Sequence, residues 1–138
     1  MENCIFCKII NKEIPSYTIY EDNDVIAFLD ISQSTHGHTL VVSKNHYENL
    51  ITIPSDILAK ITTVAQKISI AMYKVLPNIK GINLLNNCDE VAGQVIKHFH
   101  LHIIPRYTVD DYNIKPVKSN ETSKEVFNNI VDTIKEVL

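Results

Sequence analysis

"HFHLHII", residues 98–104, is the stretch on which the reading of this fold turns. His98, His100 and His102 alternate with Phe99, Leu101 and Ile103. On a β-strand successive side chains point to opposite faces, and residues two apart lie roughly 6.5–7 Å from each other. One face of the strand then carries three imidazoles while the other buries an apolar row. A slip of one residue would exchange the two sets, so burial pins the register. The chain has six histidines, and half of them fall within these five residues. Lys, Thr or Glu would solvate a surface strand more cheaply, so the cluster points to a site.

Imidazole serves both metal ligation and catalysis, and alternation alone does not choose between them. The preceding loop helps. Asn86, Asn87 and Gln94 supply amide groups, and Gly93 lets backbone N–H groups approach an anion closely. No carboxylate is near enough in sequence to complete a typical catalytic zinc set of three ligands, unless Asp89 or Glu90 folds in. Anion recognition beside a histidine nucleophile is the better fit.

Outward from this strand, the pattern predicts a short helix over residues 4–10 and a hairpin of strands near 19–20 and 25–29 around a polar "EDND" turn. A third strand follows at 39–42. Pro54, Ser55 and Asp56 open a long helix whose Ile57, Ile61, Val64, Ala65, Ile68, Met72 and Val75 recur at three- and four-residue spacing, and Pro77 ends it. Residues 82–85 and 99–104 are the fourth and fifth strands. Ser123 caps a last amphipathic helix with Val126, Phe127, Ile130, Val131 and Ile134 on one face. Hairpins with one crossover helix make an α+β fold with a largely antiparallel five-stranded sheet.

At 138 residues, without repeats or linkers, the chain is expected to form a single domain, 1–138. Hydrophobic residues at 45% and charged residues at 21% are globular composition. Thirteen Lys and Arg against sixteen Asp and Glu leave no basic footprint for polymeric nucleic acid or an anionic membrane. A single nucleotide needs only a few local groups and stays open. The N-terminal residues lack the pattern of a secretory signal and no run approaches ~20 apolar residues, so with three cysteines a reducing, cytoplasmic setting is expected. Cys4 and Cys7 have C-x-x-C spacing, but the strand–turn–helix setting of a redox pair is missing, and structural zinc requires two more ligands.

"HFHLHIIPR" resembles the signature of the histidine triad (HIT) family, His-φ-His-φ-His-φ-φ with φ apolar. "AGQVIKH", "GHTLVVSKNH" and "IPSYTIYEDNDVIAFLDIS" are similar to further family motifs, in the family's order, over a core of residues 3–107. The resemblance implies a HIT-like fold and a nucleotide hydrolase or transferase working through a covalent nucleotidyl-histidine. It puts the nucleophile at His100 and a phosphate ligand at His102. His98 becomes the group that fixes the nucleophile's tautomer, and Gln94 and Gly93 lie beside the phosphate. His38 matches a fourth histidine behind the triad, and Asp30 the acceptor of the ribose hydroxyls. Ile5, Phe6, Ile9, Phe28 and Ile31 map to an apolar slot for a purine, with Asn87 and Val95 near the phosphate loop.

Some HIT proteins hold zinc through an N-terminal C-x-x-C and two histidines, which here are Cys4, Cys7, His46 and His98. The implied substrate is a purine mononucleotide conjugate such as a nucleoside phosphoramidate. The alternatives are a dinucleoside polyphosphate hydrolase of the Fhit type and a nucleotide- or zinc-binding regulatory module. The chain departs from the family at Val95, where the Hint branch has serine and the Fhit branch threonine. The extension 108–138 is similar to that of short prokaryotic-type HIT proteins, and it is expected to pack on the body or at a dimer interface. Family members usually form homodimers through the long helix and the strand near 82–86.

Overall fold

The computed structural model describes residues 3–118 and 120–138. Among these residues five strands form one sheet in the order β1-β2-β3-β5-β4, with every neighbouring pair antiparallel. They are β1 (Thr18–Glu21), β2 (Val25–Leu29), β3 (Thr39–Ser43), β4 (Gly81–Leu85) and β5 (His100–Arg106). Among the described residues the other elements are three α-helices, α1 (Ile5–Ile10), α2 (Ser55–Val75) and α3 (Lys124–Val137), and one 3-10 turn at Glu90–Ala92.

Strand alternation divides the core into two layers. Val25, Ala27, Val41, Leu101 and Ile103 face α2, which presents Ile61, Val64, Ala65, Ile68 and Met72 to them. Ile26, Phe28, Leu40 and Val42 face the other way, towards Phe6, Cys7 and Ile9 of α1. The register pairs Val42 with His100 and Leu40 with His102, so these histidines lie on the α1 side.

The fifth strand differs from the expected 99–104. Phe99 leaves the ladder because its N–H donates to the Tyr47 carbonyl at 2.7 Å. At the other end the strand continues through Pro105 to Arg106. Pairing with β3 ends at Ile103, so proline's missing N–H removes no ladder bond there. The histidine face is also more enclosed than a solvated row: His98 and His100 are buried and His102 is half-buried. Phe6 covers them, lying edge-on to His98 at 5.8 Å and to His100 at 5.1 Å between ring centroids.

Ser123 caps α3 as expected, its hydroxyl accepting from the Val126 N–H at 3.3 Å. The helix does not pack on the body, however. All its residues are exposed, including Phe127, Ile130 and Ile134.

Candidate functional site

Backbone carbonyls can only accept hydrogen bonds, so each one that meets a histidine ring fixes that ring's tautomer. His100 Nδ1 lies 2.7 Å from the His98 carbonyl, so Nδ1 carries the proton and Nε2 keeps its lone pair. His98 Nε2 lies 2.7 Å from the Ser43 carbonyl, so here Nε2 carries the proton and Nδ1 keeps the lone pair. A third assignment runs through His38. The Ser34 N–H donates to its Nδ1 at 3.3 Å, which puts the proton on Nε2, facing His102 Nδ1 at 2.9 Å. His102 then accepts at Nδ1 and carries its own proton on Nε2. The result is a matched pair on one strand: a lone-pair nitrogen on His100 and an N–H donor on His102.

Burial favours the neutral form of His100 and His102. It lowers the His100 pKa below the ordinary imidazole value, although the His98 carbonyl acts in the opposite sense. His102 is lowered to about 4, first by burial and then by the adjacent His100 and His38. Neutral His100 is the form that can attack an electrophile. Asn86 Nδ2 donates to the His100 carbonyl at 3.0 Å and steadies the strand from its edge.

Beside the histidines, Ile5, Phe6, Ile9, Phe28, Asp30 and Ile31 all line one cleft of about 280 Å³. All the residues expected in an apolar slot are brought together, with Asp30 at its rim. Asp30 Oδ1 accepts from the Ser32 N–H at 2.8 Å, whereas Oδ2 is 3.8 Å from His38 Nε2, beyond hydrogen-bond range. Ile14, Leu40 and Ile96 also line this cleft. Sequence reading missed them, because an apolar residue by itself has no pattern that separates a cleft wall from core.

The phosphate-loop expectation changes in detail. Gly93 takes φ +100°, which explains glycine, but its N–H donates to the Glu90 carbonyl, and that of Gln94 to Asp89. These two N–H groups therefore close the turn and are not offered to an anion. The N–H groups of Val95 and Ile96 have no hydrogen bond to another described residue. Gln94 is buried, with Nε2 donating to the carbonyls of Glu48 and Ile96 and Oε1 accepting from the Asp89 N–H. Its side chain braces the loop. Asn87 reaches the Gly93 carbonyl only at 3.5 Å, and Val95 is exposed. Asp89 is held by Asn49 at 2.8 Å and joins none of the histidines.

Cys4, Cys7, His46 and His98 converge as a separate cluster in which one donor atom of each lies within 4.8 Å of every other. His98 Nδ1 is 3.3 Å from Cys4 Sγ, 3.6 Å from Cys7 Sγ and 3.1 Å from His46 Nδ1, and Cys7 Sγ is 3.4 Å from His46 Nδ1. A tetrahedral zinc with two thiolates and two imidazoles has ligand–ligand edges of about 3.3–3.8 Å. The Ser43 carbonyl has already turned the His98 lone pair into this cluster. Burial lowers the His98 pKa to about 4, keeping the ring in its ligating form. The donor set therefore fits zinc. Asp30, His38 and His102 form a second convergent group, but its two imidazoles already hydrogen-bond each other.

The contacts that set the tautomers were not visible in the sequence. Ser43 and Ser34 act through main-chain atoms, and a carbonyl or amide has no residue signature.

The HIT domain family matches residues 11–109. A HIT family protein from Bacillus anthracis superposes with a TM-score of 0.91 at 46% identity, covering 99% of this chain and 98% of that one. An adenosine 5'-monophosphoramidase of Candida albicans is 40% identical over 111 residues, 75% of this chain and 70% of its own length. A zinc-bound histidine triad family protein from Mycobacterium smegmatis has a TM-score of 0.77 at 30% identity, with 99% of both chains covered.

Proposed function

This chain belongs to the HIT domain family, and on that premise we propose that it is a nucleotide hydrolase acting on purine nucleoside phosphoramidates or related nucleoside monophosphate conjugates. The observation that carries the reading is the tautomer pair, a lone pair on His100 Nε2 beside an N–H on His102 Nε2. The purine lies in the cleft of Ile5, Phe6, Ile9, Phe28 and Ile31, and its ribose hydroxyls donate to Asp30 Oδ2. The phosphate sits against the Val95 and Ile96 amides and the His102 N–H.

His100 Nε2 attacks phosphorus, the bond to the leaving amine breaks, and the amine takes up a proton from solvent as it departs. Water then forms a new oxygen–phosphorus bond and gives a proton back to solvent, the nitrogen–phosphorus bond breaks, His100 regains its lone pair, and nucleoside monophosphate is released. Splitting the displacement in this way replaces one hard step by two easier ones. The His98 carbonyl holds the Nδ1 proton throughout and stabilises positive charge as the ring becomes substituted. His102 offsets charge developing on the phosphoryl oxygens. Gln94 and Gly93 act by holding the loop, and His38 by fixing the His102 tautomer.

Zinc at Cys4, Cys7, His46 and His98 would act structurally, tying the start of β5 to α1. The neighbouring zinc-bound family member and the ligand distances support this. The uncovered stripe of α3, the open edge of β4, and exposed Tyr73 and Leu84 support a homodimer. A cytoplasmic setting fits the unpaired cysteines, and among the described residues no helix is long and apolar enough to cross a membrane.

Mass spectrometry of protein quenched during turnover of adenosine phosphoramidate tests the mechanism, with a nucleotidyl adduct expected on His100. An adduct on another residue would remove the assigned role. Turnover of a diadenosine polyphosphate in preference to the phosphoramidate would move the chain to the Fhit type. Nucleotide binding without turnover of either would leave the regulatory module.

A further inference from the structure

The six-residue helix α1 belongs to two sites at once. Cys4 caps its N-terminus and Cys7 lies within it, so both thiols of the metal cluster are fixed to this one element. Ile5, Phe6 and Ile9 of the same helix form a wall of the nucleotide cleft. Phe6 also lies edge-on to Phe28 at 5.6 Å and to His100 at 5.1 Å, between the cleft and the nucleophile. On the other side of the cluster, His98 offers its ring to the metal and its carbonyl to His100 Nδ1. A helix this short is unstable alone and depends on what anchors it. Its anchors are a small apolar layer and the cysteine–histidine cluster.

We propose that α1 couples the metal centre to the nucleotide cleft, so that zinc on Cys4, Cys7, His46 and His98 raises the affinity for a purine mononucleotide. By linkage, the nucleotide raises the affinity for zinc by the same factor. Zinc fixes the two cysteines and so places Ile5, Phe6 and Ile9 against the base before it arrives. Without the metal, nucleotide binding must order the helix first, and affinity falls by the cost of doing so. The inference rests on the nucleotide reading of the cleft given above. It goes beyond a structural metal, because it makes zinc occupancy a control on substrate binding.

AMP titrated calorimetrically onto zinc-loaded and chelator-treated full-length protein tests this. The dissociation constant is expected to rise roughly five- to a hundredfold on zinc removal. Saturating AMP should likewise raise the chelator concentration that strips half the zinc. That arm starts from folded, loaded protein and holds even where chelation unfolds the chain. Phe6→Leu keeps all four ligands and should shrink the factor, whereas Ile53→Val, buried against α2, should leave it intact. Equal AMP affinities, a stripping midpoint that AMP does not move, or an undiminished factor in Phe6→Leu would overturn the coupling while leaving nucleotide binding standing. AMP binding to neither form would remove the nucleotide reading and the coupling together.

Discussion

The two faces of the sheet are both buried, yet they are closed by different means. On one face α2 seats Ile61, Val64, Ile68 and Met72 on a continuous apolar surface. On the other, α1 buries only Phe6 and Ile9 among its large side chains, over a surface in which β5 contributes imidazoles. At about 1.5–3 kcal/mol for each large side chain buried, the first face gains roughly twice as much from its helix. The histidine face makes up part of the difference with directed contacts, each ring held at a stated nitrogen. A sheet can thus assign stability to one face and chemistry to the other.

The largest expected effect breaks the chemical face alone. His100→Ala should lower kcat on adenosine phosphoramidate by roughly a thousandfold or more, because the covalent route is lost. AMP affinity, measured by calorimetry, should change only a few-fold. A variant that kept its rate would show that the chemistry lies elsewhere.

Next comes the structural face. Ile61→Ala removes a fully buried side chain beneath the sheet and should cost about 2–5 kcal/mol in urea unfolding. The apparent KM of the folded fraction should stay near its original value. A KM shift as large as that of a cleft variant such as Phe28→Ala would mean the two faces are not separable.

Acid sharpens the contrast. His102 titrates near 4 in the folded protein and near its ordinary value, about 6.5, in the unfolded chain. Between these values the unfolded state binds more protons, so stability is fully present above about pH 6.5 and falls as pH drops towards 4. Denaturation midpoints at pH 7 and pH 5 should therefore diverge, and His102→Asn should narrow the gap. An unchanged gap would show that this ring is not kept neutral by burial.

The smallest effect is expected at Val95, which is exposed beside the loop. Val95→Ser should leave stability within about 0.5 kcal/mol. Any change should appear in the ratio of rates between two leaving amines, measured at fixed AMP moiety.

How much of this could be read in advance differs by element. Alternation over residues 98–104 identified the fifth strand and its inward row, and Phe99, Leu101 and Ile103 do enter the α2 layer. The three- and four-residue spacing in α2 gave its buried stripe from Ile61 to Met72 for the same reason, since periodicity records which side meets the core. Val75, expected on the stripe, is exposed at the helix end beyond the core. The expected strand stops at Ile104 whereas β5 runs on through Pro105 to Arg106, and only the point where β3 stops explains why proline is tolerated. Of the two places expected for α3, packing on the body is excluded by its exposure; an apolar stripe implies a partner without saying which.

The sequence by itself determined the strand alternation, the α+β order of elements and the residue types of the site. Those follow from local spacing and from chemistry carried by each side chain. Only the tertiary structure decided which nitrogen of each imidazole holds the proton, and that Gly93 and Gln94 close the loop with their own N–H groups. It also decided that His98 turns its ring into the cysteine–histidine cluster and its carbonyl towards His100. These are set by backbone atoms from distant segments, and every residue carries the same carbonyl and amide.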